Sequence, residues 1–402
     1  MAPYESDEST TAEEADDLRA GRRKAARYVV PVAVVGVAAA TIGLVPALAD
    51  SGDPNLPKIS AQQLIDKIAK SDVQQMSGTV KISTDLGLPN LGGLENSLAS
   101  GAAGSGDGSS ADPSSKLTEL ATGTHTLRVA SDGPDRQKVS LLEKAAEYSL
   151  IHNGKDVWGY DSRSNEVYHA TAADNAEAQK KQDVPATPKD LTDEALKSVD
   201  ATTSVRVQGT AQVAGRDAYR LVVKPKQSGS TVGQITVAVD AKTGMPLKFT
   251  LTPSSGGAAV IDAGFTQVSF ARPSSSTFDF TPPKGAKVTE GGRAGHGLKG
   301  TDRAPMPGGA LAEGAGGMKV LGKGWNSIAT FDTGGKGVPS GSRAGGQFGG
   351  FLDSLGDKVS GKFGSGTVFK TRLVNALITD DGKVYVGAVN KAALVKAADA
   401  GK

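Results

Sequence analysis

The sequence predicts an α+β protein. It comprises a long antiparallel sheet with two covering helices, a small α+β C-terminal unit and an N-terminal transmembrane helix. Three observations carry this reading. Residues 28–49, YVVPVAVVGVAAATIGLVPALA, hold no charged side chain. Residues 78–84 and 124–270 alternate apolar and polar side chains in short runs, broken by turn dipeptides such as Asn153-Gly154. Stretches near 60–76, 190–199 and 390–400 instead repeat apolar residues at helical spacing.

Composition narrows the function. The chain has 402 residues, 52 of them glycine, with 38% hydrophobic and 5% aromatic content. That length predicts two domains with linkers. A net charge of +2, with no long basic run after the first 30 residues, argues against a nucleic-acid partner. The chain contains no cysteine, which excludes disulfides, thiolate metal sites, cysteine nucleophiles and lipid attachment to a thiol.

The first element is the membrane segment. Residues 1–27 read as a disordered cytoplasmic tail, acidic to Asp17 and then basic at Arg19, Arg22, Arg23, Lys24 and Arg27. The apolar run of 28–49 follows, and about 20 helical residues cross a hydrocarbon core. The basic flank holds its own end in the cytoplasm, so the remainder is expected outside, as a single-pass cell-membrane protein. Ala47-Leu48-Ala49 before Asp50 also fits a signal cleavage site, which would leave a secreted protein. Anchor and cleaved signal both stand at this point.

The main domain is assigned to residues 58–283. SAQQLIDKIAKSDVQQM reads as a helix with Ser60 and Gln63 as capping box, and SGTVKIST as a strand. Residues 86–116 are rich in Gly and Ser without a period and read as a flexible insertion. THTLRVA, QKVSLL, EYSLIHN, KDVWGYD and EVYHA are successive strands, with Trp158 and Tyr160 on one side. DLTDEALKSV is a second amphipathic helix. VRVQGTAQV, AYRLVVK, QITVAVD, LKFTL and GFTQVSF complete an antiparallel meander. Asp240–Gly244 supplies the turn between two of them, and Pro246 is confined to a strand start or edge. Ile235, Val237, Val239, Leu247 and Phe249 fall on one face of that hairpin, beside Tyr219 and Leu221. One face of the sheet is apolar, and two helices give it thin cover, which leaves room for a groove.

Residues 284–317 read as a Gly/Pro-rich linker and 318–402 as the small α+β domain. That domain is read as a strand (GWNSIATF), a helix carrying Phe348, Phe351, Leu352 and Leu355, the strands VFKTRLVNALIT and KVYVGAV about Asp380-Asp381-Gly382, and a closing helix capped by Asn390.

The order of HNGKDVWGYDSRSNEVY, DLTDEAL, VAGRDAYRLVVKP and GQITVAVDAKTGMPLKFTL resembles the LolA-like superfamily over residues 58–283. That superfamily includes outer-membrane lipoprotein carriers, RseB-type sensors and lipid-binding proteins of actinobacterial envelopes. The resemblance implies a strongly curved antiparallel sheet, an unclosed β-barrel, with helices over its mouth and a hollow for acyl chains of lipids or lipoproteins. It makes Trp158, Tyr160, Tyr219, Leu221, Ile235, Val237, Val239, Leu247 and Phe249 the candidate lipid-binding residues. Taken without the resemblance, Trp158, Tyr160, Tyr219 and Phe249 equally fit a filled core. The chain departs from a diffusing carrier in its membrane segment, its insertion and its C-terminal unit. RseB-type sensors carry a second domain too, so a regulatory protein that binds a membrane partner, such as an anti-sigma factor, is the alternative expectation.

Chemistry is sparse. The four histidines, His125, His152, His169 and His296, form no metal-ligating pair, and no cofactor is implied. GMKVLGKG and GDKVSGKF approach a phosphate-binding loop but lack the Ser or Thr for magnesium. No G-x-S-x-G elbow precedes a helix. The expectation is a binding protein, not an enzyme.

Overall fold

The computed structural model describes residues 54–87, 109–113, 116, 120, 122–171, 187–197, 199–290, 319–332 and 356–401. The apolar segment 28–49 and the helix expected around Phe348–Leu355 lie outside the described residues. Among the described residues, no helix is long and apolar enough to cross a membrane.

The described residues are mostly β, with few helices and two open sheets. Helix α1 (Ala61–Ala69) starts at Ser60, whose hydroxyl accepts from the Gln63 N–H while the Gln63 side chain accepts from the Ser60 N–H. This is the capping box that the sequence announces. Strands β1 (Gln75–Thr84), β2 (Gly123–Asp132), β3 (Arg136–Glu143), β4 (Ala146–Asn153), β5 (Asp156–Asp161) and β6 (Glu166–Thr171) follow. After α2 (Pro188–Lys197) come β7 (Thr203–Val213), β8 (Arg216–Pro225), β9 (Val232–Asp240), β10 (Pro246–Pro253), β11 (Ile261–Ser269) and the short β12 (Lys287–Glu290).

These twelve strands form one sheet in the order β12-β6-β5-β4-β3-β2-β1-β11-β10-β9-β8-β7. The simple meander expected from the sequence is corrected here. Two meanders, β2–β6 and β7–β11, run outward from β1, which pairs antiparallel with both β2 and β11. The ends of the sheet, β12 and β7, are not paired with each other. Irregular register between β1 and β11, at Pro246/Lys248 and near Gly209 adds bulges, which bend the strands that carry them. Residues 287–290, inside the stretch read as linker, form β12 and pair parallel with β6.

The second sheet contains β13 (Lys319–Leu321), β14 (Ile328–Asp332), β15 (Gly356–Gly361), β16 (Gly364–Phe369), β17 (Asn375–Thr379) and β18 (Lys383–Gly387), in the order β13-β14-β18-β17-β16-β15. Helix α3 (Lys391–Ala400) packs on it, capped by the Asn390 side chain. VFKTRLVNALIT is two strands, not one. Thr371 turns the chain, its hydroxyl donating to the Val374 carbonyl and its N–H donating to the Asn375 side chain. Of the phosphate-loop look-alikes, the described part of GMKVLGKG runs from β13 into a single 3-10 turn at Gly324–Asn326, and GDKVSGKF lies on β15 and its turn to β16; neither opens an α-helix.

The two sheets belong to one compact unit, Gly52–Lys402. Ser230 and Val389 form a β-bridge between them, flanked by Thr231 N–H to Ala388 O (2.9 Å) and Asn390 N–H to Gly229 O (2.8 Å). Trp325 donates to Thr203 Oγ1 at 2.8 Å. The β16–β17 turn reaches further. Arg372 N–H bonds Leu86 O, its guanidinium bonds Asp85 and Ala258 O, and Leu373 is fully buried in the core of the large sheet.

Candidate functional site

Side chains directly opposite one another in an antiparallel ladder share a face. The pairs Leu221↔Val237, Val237↔Phe249, Phe249↔Ala263 and Ala263↔Ile82 therefore define an inner face. Val80, Leu127, Leu141 and Tyr148 continue it across the other meander. Tyr219, Leu221, Ile235, Val237, Val239, Leu247 and Phe249 all lie in this one apolar cluster, none more than 8% exposed. Leu64 and Ile68 of α1 and Leu191 of α2 join the same cluster from above. Seven of the nine expected site residues are thus brought together.

Trp158 and Tyr160 are not. Trp158 lies opposite Ile151, Ile151 opposite Lys138, Lys138 opposite Ala130, and Ala130 opposite Ser77. Ser77 and Ile82 are an odd number of residues apart on β1, so their side chains point to opposite faces. The two aromatic residues stand on the outer face, half-buried beneath residues 270–290, which cross it as a strap. The Phe280 ring lies 5.5 Å from that of Trp158 and 5.7 Å from that of Tyr160. Arg272 fastens the start of the strap to Asp132, and Asn153 holds the carbonyl of the buried Phe278. Ile151 and Val167 are closed off on this face.

One end of the β9–β10 hairpin is an ionic corner. Asp240 is 1% exposed. It accepts from Arg216 at 2.5 and 3.2 Å, from the Thr243 N–H at 2.6 Å and hydroxyl at 2.8 Å, and from the Lys242 N–H. Burial alone would raise its pKa, but Arg216 and Thr243 outweigh burial and hold it below the ordinary value. Gly244 has φ +77°, and a Cβ there would collide with the Lys67 carbonyl at the end of α1. The residues of GRDAYR and DAKTGMP that carry the resemblance thus lock three strands and the helix lid together. The opposite end, at Thr231–Val232, meets the small sheet and Leu373.

The β4–β6 end of the inner face carries the polar groups. Gly159 lets the Ala111 carbonyl lie against the sheet, where it accepts from the Tyr148 hydroxyl at 3.1 Å. Burial, with Asp112 and Asp161 nearby, pushes the Tyr148 phenol up. Lys116 bridges Glu143 (2.8 Å) and Asp161 (3.3 Å). Glu166 accepts from the N–H and hydroxyl of Ser110, from Lys287 and from the Ser109 hydroxyl, which bring its pKa down to about 2. Residues 109–113 and 116 belong to the stretch read as a flexible insertion, yet they are docked by contacts that no periodicity reveals.

Among the described residues, no three His, Cys, Asp or Glu side chains gather to hold a metal ion. The site offers an apolar face, an ionic corner and a polar rim.

Residues 109–290 match the family model described as "Predicted periplasmic protein (DUF2092)". That description puts the matched family outside the cytoplasm, the side expected here from the basic flank of residues 28–49. Among solved structures, the MucA/MucB complex of Pseudomonas aeruginosa matches at 17% identity and TM-score 0.39, covering 84% of this chain and 96% of that one. An uncharacterized conserved protein of Thermus thermophilus matches at 13% identity and TM-score 0.31, covering 57% and 98%. A LolA superfamily protein from Nitrosomonas europaea matches at 11% identity and TM-score 0.22, covering 56% and 99%. No curated protein matches the chain.

Proposed function

We propose that this is a membrane-anchored, extracytoplasmic, non-catalytic protein that binds acyl chains of lipids or lipoproteins on the inner face of its large sheet. It would act in lipoprotein handling or envelope sensing. One observation carries the reading: Tyr219, Leu221, Ile235, Val237, Val239, Leu247 and Phe249 converge on one apolar face under α1 and α2. A sheet left open at both edges can part from its helices to admit a chain. Each CH₂ that leaves water for that face contributes about 0.8 kcal/mol. The polar rim at Tyr148, Lys116 and Glu143 stands where a head group would be met. The family description of residues 109–290 supports the extracytoplasmic placement, and the charge-free segment 28–49 supports the anchor.

Trp158 and Tyr160 take no part in this face. A second reading, regulation through a membrane-protein partner, is favoured by the edge of β7, which no other strand pairs among the described residues, and by Val288, 43% exposed on the edge strand β12. An extended partner segment pairs with edges of that kind. Native mass spectrometry of the full chain, extracted and exchanged into a lipid-free amphipol, tests the choice. The first reading predicts a bound species of lipid mass that survives exchange. A lipid-free protein that retains a second polypeptide would favour the partner instead.

A further inference from the structure

The His169 ring joins three strands on the outer face. Its Nδ1 is 2.8 Å from Glu290 Oε2 on β12, and its Nε2 is 3.0 Å from Asp156 Oδ1 on β5. The Trp158 ring stacks on it, with centroids 3.8 Å apart and planes 18° from parallel. Both ring nitrogens therefore face carboxylate oxygens, which only accept when ionised. A neutral imidazole carries one N–H and can satisfy one of them, whereas the imidazolium donates to both.

What hangs on the second bond is the end of the strap. β12 is four residues long and, among the described residues, pairs with β6 alone. A further side-chain hold is the ion pair of Lys287 with Glu166 at 3.2 Å. Glu290 itself is largely exposed, as is Asp156, while the His169 side chain is 18% exposed. The remaining charged groups on these elements are Lys155 and Asp161 about β5, and Arg272, Asp279 and Lys284 on the strap, of which Arg272 is paired with Asp132. Asp156 and Glu290 are the carboxylates that reach the ring itself.

We propose that His169 is a protonation-operated clasp that fastens the β12 end of the 270–290 strap to the outer face of the large sheet, closed when the ring carries two protons and loosened when it carries one. Burial opposes the charged ring, but the hydrogen bonds and charges of Asp156 and Glu290 outweigh it and hold the titration above the ordinary histidine value. The sign follows. The raised group stabilises the docked strap fully below its undocked titration point of about 6.5, and this is lost as pH rises through the docked one. Each unit between the two titration points changes the docking equilibrium tenfold. Loosening would uncover the aromatic group of Trp158, Tyr160 and Phe280 above the docked titration point and cover it below.

The chain has four histidines, so each ring can be followed by NMR in the full-length protein, with His169 identified by its loss in His169→Gln. Hydrogen exchange of peptides covering 278–290, corrected for intrinsic rates, is measured across the same pH range. The clasp predicts that strap protection falls several-fold with the midpoint of the His169 titration. It also predicts that Glu290→Gln moves both midpoints downward together, and that His169→Gln removes the pH step. Protection that ignores the His169 midpoint, or a step that persists in His169→Gln, would overturn the proposal. Should His169→Gln misfold, the shared shift in Glu290→Gln still decides.

Discussion

Leu373→Ala is expected to weaken the large sheet although Leu373 belongs to a turn of the small one. The side chain is 0% exposed and sits in the cluster that contains Val232, Leu251 and Val260. Loss of three carbons removes about 2.4 kcal/mol of transfer free energy at about 0.8 kcal/mol each. The backbone around it is held by Arg372 to Leu86 O and Asp85, and by Thr231 to the Leu373 carbonyl, so the hole closes poorly. The cavity raises the cost toward about 4 kcal/mol. Native-state hydrogen exchange under graded denaturant gives the assay, read strand by strand. β9–β11 should lose protection along with β16 and β17. The comparison is Leu377→Ala, equally buried but in the core of the small sheet, whose effect should fall mainly on that sheet. If Leu373→Ala leaves β9–β11 within about 0.5 kcal/mol of wild type, the welded junction is wrong.

Gly244→Ala should cost more than Gly256→Ala. Both glycines have nearly the same positive φ, +77° and +76°, which costs an alanine about 1–2 kcal/mol. Only Gly244 faces the Lys67 carbonyl, and nothing lies within 4 Å of Gly256. The excess in thermal denaturation therefore measures the lid contact, and equal losses would mean that α1 does not rest on the turn. Asp240 gives an acid dependence. Its folded pKa is depressed, so its stabilisation is present above the unfolded value of about 3.9 and is lost as pH falls through the folded one. Melting temperature against pH should fall less steeply below about pH 4 in Asp240→Asn, and an unchanged slope would refute the Arg216–Asp240 account.

The strands were legible because each buries one face, which writes a period of two into its residues, and because Asn153-Gly154 and Asp381-Gly382 mark their turns. The helix caps at Ser60 and Asn390 were legible for the same local reason. What escaped depends on pairing between distant residues. The position of β1 between β2 and β11 brings together residues far apart in the chain (Thr79 with Gln267), and no local pattern records it. Trp158 could be placed on a strand face, but whether that face is also Val237's is decided by the pairing of every strand between β5 and β9 in the sheet. The strap carries Phe278 and Phe280 in PSSSTFDFTPPKGAKVTE, a run without regular period that follows the last expected strand and reads as linker from residue 284. Leu373 lay inside an apolar run that looked like one strand. His169, lone on its strand, gave no sign that two carboxylates flank it, since Glu290 is 121 residues away.

The most direct test of the acyl-binding face is Val237→Thr, measured in the same two proteins by a fluorescent fatty-acyl probe and by thermal melting. Val237 is 1% exposed, and threonine nearly keeps its shape while adding a hydroxyl that must be buried. Acyl binding predicts that wild type binds the probe and that the variant weakens it by more than it weakens folding. A probe that binds neither protein, or binds both equally while the melting temperature falls, would contradict the claim and leave the inner face as a filled core.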